Sequence, residues 1–251
     1  MHADTDKCSL EVQARCFQGE GFMPALSEVC VERTYSLWLN GRGLVRLVAS
    51  PSQLQELGAG FVVTEGLAGA VDDVQVIGSE IHVNAPAQEP PSGAMIMESS
   101  GGLALSRPVT PVSSDLMLAV EEVFWIIKAI VSDLWQATGG AHCSVLFSNG
   151  RLVAKASDVG RHNTVDKVIG AAILGGMDLS RCILGCTGRQ PEGMVAKAAR
   201  AGIPVIVSKA ATTSKGVEMA QRAGVTLICR VKDKSFTVYT HGQRVVGLPI
   251  K

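Results

Sequence analysis

Aromatic residues are scarce, 4% of a 251-residue chain, and neither sign of charge predominates: Lys plus Arg and Asp plus Glu number 23 each. A balanced chain has no bulk field to gather nucleic acid or an anionic membrane, so neither partner is expected and any anion must be recognised locally. Long hydrophobic runs are also missing, because Lys128 breaks the stretch 124–131, which is too short to span a bilayer. The first residues carry Asp4, Asp6 and Glu11 instead of an apolar targeting core, so no signal peptide is expected. Cysteine is present, but seven is an odd number and the spacings fit no disulfide framework, zinc site or iron–sulfur site. Cys8, Cys16 and Cys30 read as ordinary thiols, reduced in a cytoplasmic protein.

Several catalytic signatures are absent too. No Gly-x-x-x-x-Gly-Lys-Ser/Thr occurs, which argues against a P-loop nucleotide triphosphatase, and no Gly-x-Gly-x-x-Gly opens a helix after a first strand. A Gly-x-Ser-x-Gly nucleophile elbow is missing as well. His142 and His162 have no partner at metal spacing, and His82 and His241 read as strand or edge residues, so no protein-ligated metal is expected.

What is present is a segmented pattern. Residues 1–27 have no sustained periodicity and read as a loosely attached arm. Residues 28–84 form a small α+β unit: a hairpin around Asn40-Gly41, a helix beginning at Ser50-Pro51-Ser52 and ending at Glu65-Gly66, and a second hairpin around Gly78-Ser79. Residues 85–112 are a long Pro/Gly-rich loop. In 113–251, Ser113 or Ser114 caps a long helix carrying Leu116, Val120, Val123, Ile127, Ile130 and Leu134, with Trp125 and Trp135 adding to its packing. Strands and helices then alternate, which predicts a largely parallel sheet sandwiched by helices.

The densest chemistry lies between 141 and 167. Strand 143–147, the turn Asn149-Gly150 and strand 151–156 form a hairpin, and a loop with Asp158, Arg161, His162 and Asn163 opens a helix at about Thr164. Helix N-termini attract anions, and Arg adds a planar fork suited to phosphate or carboxylate. The plain alternative is a capped helix with solvated charges. Two further polar loops, 187–190 and 208–214, also follow strands and precede helices. In an α/β sheet the three should open on one edge, which favours a phosphate-bearing ligand.

The motif Asp158-Val159-Gly160-Arg161-His162-Asn163 with Val165-Asp166-Lys167 resembles the signature of the formate dehydrogenase accessory sulfurtransferase family. Matching pieces run in the same order: Phe61-Val62-Val63-Thr64-Glu65-Gly66, Thr138-Gly139-Gly140-Ala141-His142, Gly188-Arg189, Ala210-Ala211-Thr212-Thr213 and Val238-Tyr239-Thr240-His241. The resemblance implies an α/β fold: a cytidine-deaminase-like three-layer α/β/α main domain with a smaller N-terminal α+β unit, without the zinc. It implies a cytoplasmic homodimer that takes persulfide sulfur from a cysteine desulfurase and passes it to the bis form of molybdopterin guanine dinucleotide, destined for formate dehydrogenase. That cofactor would be cargo, and free guanine nucleotide would occupy the same pocket. Carried over by position, His142, Asp158, Arg161, His162, Asn163, Gly188, Arg189, Thr212 and Thr213 would line the site, with Arg230, Lys232, Lys234 and Ser235 on a basic turn near the nucleotide.

One departure bears on the chemistry. The family's Cys-x-x-Cys falls where this chain has Gly101 and Ala104, and an acidic position is Ser157. Neither Gly nor Ala can form the thiolate that accepts a persulfide. Cys186, ending a strand just before Thr187-Gly188-Arg189, is the candidate substitute, because a helix N-terminus and Arg189 would lower its pKa. Cys143 follows His142, but strand alternation turns the two to opposite faces. The sequence leaves open whether the protein supports cofactor sulfuration and delivery or is a non-catalytic cofactor- or guanine-nucleotide-binding chaperone or paralogue.

Overall fold

The computed structural model describes residues 7–86, 98–99 and 108–247. The chain begins with a ribbon rather than a loose arm: β1 (Ser9–Gln18) and β2 (Gly21–Cys30) pair antiparallel from Ser9↔Cys30 to Gln18↔Gly21. Cross-strand hydrogen bonding forms it where no apolar alternation announces a strand, and most of its side chains remain exposed.

The α+β unit follows. β3 (Arg33–Leu39) and β4 (Arg42–Ala49) join through Asn40 and Gly41, both at positive φ, which matches the right-handed strand twist. Tyr35, Leu37 and Leu39 alternate inward and meet Leu57 and Phe61 of α1 (Leu54–Thr64). The helix starts after Ser50-Pro51, not on it: Gln53 takes a left-handed conformation, and Ser50 and Pro51 are buried. β5 (Asp73–Ile77), β6 (Glu80–Asn84) and the backbone of β7 (Glu98–Ser99) complete a sheet of order β5-β6-β3-β4-β7.

The expected long helix after Ser113 is broken. Residues 108–117 form neither helix nor strand, and Ser114 Oγ donates to Ser180 O instead of capping a helix. β8 (Leu118–Ala119) leads directly into α2 (Val120–Ala129), where Glu122 accepts from Ala119 N. Ser132 then caps a separate α3 (Asp133–Thr138). Trp125 and Trp135 are exposed rather than packed.

The main sheet contains β9 (His142–Ser148), β10 (Arg151–Asp158), β11 (Cys182–Cys186), β12 (Val205–Ser208), β13 (Thr226–Lys232) and β14 (Ser235–Thr240). Its order is β10-β9-β11-β12-β13-β14, and a two-residue β15 (Val245–Val246) pairs with β8. The sheet is mixed: β11–β12 and β12–β13 are parallel, whereas the three other neighbours are antiparallel. Hairpins at both edges cause this, since a tight turn can return a strand only antiparallel.

Strand alternation sorts the core into two layers. Leu146, Leu184, Ile206 and Leu227 face α4 (Arg161–Leu174), α5 (Glu192–Arg200) and α6 (Ser214–Ala223). Val145, Ile183, Val205 and Ile228 face Val123 and Ile126 of α2 and Ile130 just beyond its end. The fold is therefore α/β, with a three-layer main body. α1 docks on α4 at glycine contacts: a Cβ on Gly60 would stand 1.8 Å from Asp166 O, and one on Gly170 1.8 Å from Glu56 O.

Candidate functional site

Register brings the polar loops together. Asp158 pairs with His142, Cys186 with Ser144 and Ser208, and Val207 with Ile228. The carboxyl ends of β10, β11, β12 and β13 thus share one edge with the amino end of β9, as the loop positions predicted. Backbone links tie the loops: Lys209 N donates to Cys186 O (3.1 Å), Gln190 N to Ala211 O (3.0 Å) and Arg230 N to Ala210 O (2.9 Å).

Arg161 and His162 open α4 beside this edge, half-buried, with Gly160 as the helix cap. Arg161 crosses Gly188 so closely that a Cβ there would lie 3.0 Å from Arg161 Cβ and 3.2 Å from its Cδ. Arg161 Nε is enclosed and has no hydrogen-bond partner among the described residues. Opposite it, His142 Nδ1 and Thr187 Oγ1 share a hydrogen bond of 3.1 Å, and Cys143 N donates to the same oxygen at 3.1 Å. Burial, and next the Arg161 charge, hold His142 below the usual histidine range despite the opposing pull of Asp158. Its imidazole is therefore neutral near pH 7, with one donor and one acceptor nitrogen. Beside it lies a cavity of about 370 Å³, walled by Trp135, Ile130, Val131, Gly140, His142 and Lys209.

The expected lining residues fall into three groups. His142, Arg161, His162, Gly188, Arg189 and Thr212 lie at the edge, and the exposed Arg230, Lys232, Lys234 and Ser235 extend beyond it on the β13–β14 hairpin. Thr212 Oγ1 is already committed to Gln190 O (2.8 Å), and Thr213 caps α6 by accepting from Gly216 N (3.2 Å). Asp158 and Asn163, expected to line the pocket, are buried beneath it. Asp158 Oδ1 accepts from Gly160 N and Asn163 Nδ2, both at 2.8 Å, and Oδ2 accepts from Ser50 N (3.0 Å) and Lys167 Nζ (2.6 Å). Four donors exhaust this carboxylate, so it positions the α4 turn and cannot meet a ligand.

Cys186 does not fit the substitute role expected of it. It is 1% exposed and packs in the core beneath α5. Burial pushes its thiol up to about 12, against hydrogen bonds with Ser144 and Gln190, so the expected lowering is reversed. Cys143, Cys182 and Cys229 are buried and raised for the same first reason. Cys30 is half-buried near the rim, its Sγ 3.0 Å from Thr138 Oγ1. Gly101 and Ala104 lie outside the described residues.

A second ionic cluster has no signal in the sequence. Lys197 Nζ lies 2.9 Å from Asp166 Oδ1 and 2.7 Å from Glu65 Oε1, donates to Thr64 Oγ1 (3.0 Å), and rests 5.0 Å from the Phe61 ring centroid. It joins α1, α4 and α5 behind the site. The charges of α4 and α5 are thus not simply solvated. Among the described residues, no group of three His, Cys, Asp or Glu side chains could hold a metal, and no helix is long and apolar enough to cross a membrane.

The chain is similar to known proteins over most of its length. The model of the FdhD/NarQ family matches residues 30–246. A sulfur carrier protein FdhD of Methanothermobacter thermautotrophicus is 36% identical over 219 residues, covering 83% of this chain and 87% of its own length. A protein FdhD of Methanocaldococcus jannaschii is 30% identical over 234 residues, covering 93% and 97%. A Desulfotalea psychrophila crystal structure, assigned as a formate dehydrogenase accessory protein, matches with a TM-score of 0.82 at 28% identity, covering 96% of this chain and all of that one. With both its small unit and its main sheet inside the match, this chain belongs to the FdhD/NarQ family.

Proposed function

We propose that the protein is a cytoplasmic accessory factor for formate dehydrogenase that holds the molybdopterin guanine dinucleotide cofactor at the sheet edge and presents it for sulfuration and delivery. The carrying observation is the convergence of Arg161, Gly188 and the neutral His142 on one edge, above a carboxylate saturated by its own donors. Arg161 has unused donor capacity suited to a phosphate, and Gly188 leaves room for the aliphatic stem of Arg161 to cross it. The names of the similar proteins, sulfur carrier and formate dehydrogenase accessory protein, support formate dehydrogenase as the client and sulfur as the group handled, and the cofactor is our own inference.

Within that role the geometry favours holding over relaying. All seven cysteines fall among the described residues, and the four in the core are buried, with pKa values raised above the ordinary thiol range. A persulfide relay needs a thiolate that a partner can reach. Sulfur would therefore pass from a cysteine desulfurase to the held cofactor without a persulfide on any of these four core thiols. Incubating the reduced protein with a cysteine desulfurase and cysteine, then weighing it intact, tests this. No mass gain with retained guanine-nucleotide binding is expected, whereas one added sulfur mapped to a cysteine would replace holding by relay.

A homodimer is part of the same reading. Phe17, Phe22 and Leu26 project from the β1–β2 ribbon, Phe22 with 65% of its surface exposed, and two-stranded ribbons are marginal in water without a covering surface. Sedimentation at micromolar concentration should give a dimer, and Phe22→Ser with Leu26→Ser should shift it toward monomer.

A further inference from the structure

Charge is balanced over the whole chain but not along it. Residues 182–251 hold eleven of the 23 Lys and Arg and only three of the 23 Asp and Glu. Residues 1–181 carry the reverse excess, twenty acidic against twelve basic side chains. The fold gathers much of the basic excess on one rim. Arg189, Lys209 and Arg230 are exposed on segments that backbone hydrogen bonds tie together. Lys215 is exposed in the first turn of α6, and Lys232 and Lys234 at the β13–β14 turn. The exposed acids on these same segments are Glu218 and Asp233. Among the described residues none of the six cations has a carboxylate within ion-pair distance, whereas Arg222, farther along α6, pairs with Glu192 at 3.5 Å.

Two features separate this rim from ordinary solvated charge. The first turn of α6 contains no acid, which would stabilise the positive end of the helix, and carries Lys215 instead. Arg230 holds a φ of 56°, a left-handed conformation that long side chains seldom take, beside a register shift between Cys229 and Lys232. Both place positive charge at this edge against local preference.

We propose that this basic rim docks an acidic surface of the enzyme that receives the cargo, formate dehydrogenase lacking its cofactor, and steers the two proteins together. The choice of partner rests on the cofactor-holding reading. A sulfur donor need only reach one atom of the cargo, whereas the receiver must admit all of it, so the receiver faces the whole edge. A long polyanion such as nucleic acid fits worse, because it would run off the rim toward the acidic remainder of the chain. No aromatic is exposed among residues 182–247 to stack a base. Charged rims act mainly on the rate of association, and their pull fades as salt shortens the Debye length.

Association of the full chain with cofactor-free formate dehydrogenase, followed by biolayer interferometry, tests this. The association rate constant should fall about tenfold between about 50 and 500 mM salt. Lys232→Glu with Lys234→Glu should lower it about tenfold at the lower salt, while dissociation changes less than about threefold. Lys215→Glu, outside the expected cofactor positions, should slow association about threefold and leave guanine-nucleotide binding unchanged. It should also raise the urea midpoint, since an acid suits that turn. Arg42→Glu, the same change of charge in the small unit, should leave the rate within about twofold. If the enzyme binds at a rate indifferent to salt and to every reversal, the rim is not the docking surface, while cofactor holding stands. If the enzyme binds at no salt concentration, the accessory reading fails as well. Slowing confined to a cysteine desulfurase, or tighter binding of an oligothymidylate than of the enzyme, would overturn the choice of partner.

Discussion

Lys167 Nζ lies 2.6 Å from Asp158 Oδ2, and both side chains are sealed from water. The pair fastens the end of β10 to α4, and through Ser50 it also fastens the α+β unit, since Ser50 N donates to Asp158 and Ser50 O accepts from Lys167. Arg161 sits on the turn that this pair fixes. Removing one partner leaves a buried charge uncompensated, which costs about 3–5 kcal/mol. Lys167→Met should therefore lower stability by about that amount in urea denaturation. Asp158→Asn combined with Lys167→Met should cost less than the sum of the two single changes. Strict additivity would show that the charges do not interact.

The α1–α4 contact gives a sharper steric test. A Cβ on Gly60 would stand only 1.8 Å from Asp166 O, so Gly60→Ala must separate two helices. Overpacking of this kind costs about 1–3 kcal/mol or more. Gly193, in α5, has nothing within 4 Å, so Gly193→Ala should be neutral or stabilise by up to about 1 kcal/mol. Equal effects at the two positions would contradict the close crossing.

Asp166 gives a pH dependence with a definite sign. Burial first, opposed by Lys197 and Thr64, moves its carboxyl up to about 6 from the ordinary 3.8. For Lys197, burial lowers the pKa, but Asp166 and Glu65 outweigh it and the net shift is upward, so the ammonium stays charged throughout this window. A carboxyl raised on folding binds its proton more tightly in the native state. Its contribution to stability is therefore greatest below about pH 4, declines toward pH 6 and is flat above. The difference in unfolding free energy between the parent protein and Asp166→Asn should change by at most about 1.4 kcal/mol per pH unit in that window. A difference that stays constant from pH 4 to 7 would show that Asp166 titrates normally.

Thiol labelling separates the cysteines by burial. Under native conditions at pH 8, Cys16 should react quickly with iodoacetamide, and Cys143, Cys182, Cys186 and Cys229 should react only after denaturation. Rapid native labelling of Cys186, mapped by peptide mass, would restore it as a candidate sulfur acceptor.

The local signals were the legible part of this protein. Asn40-Gly41 and Asn149-Gly150 sit in their hairpins because adjacent positive-φ residues favour that turn, and the strand–loop–helix order put the three polar loops on one edge. The motif residues from Phe61 onward were sufficient to suggest the family. The direction of the sheet was less legible, since apolar runs do not say whether a neighbour is parallel, and the short ribbon at the start lacked the alternation that marks a half-buried strand.

Burial was decided by the tertiary structure alone. Asp158, Asp166, Lys167 and Lys197 look like surface charges along the chain, yet each meets a partner supplied by packing, and Lys197 reaches Thr64 across 133 positions. Cys186 stands beside a helix N-terminus in sequence, but its place in the core raises its pKa, because desolvation outweighs the nearby polar groups. Trp135 went the other way, from expected packing to an exposed cavity wall, once α2 ended at Ala129 and Ser132 began another helix. Residue order determines which groups are available and what local shapes they favour. Only packing determines their distance from water and from one another, and those distances set charge, reactivity and access.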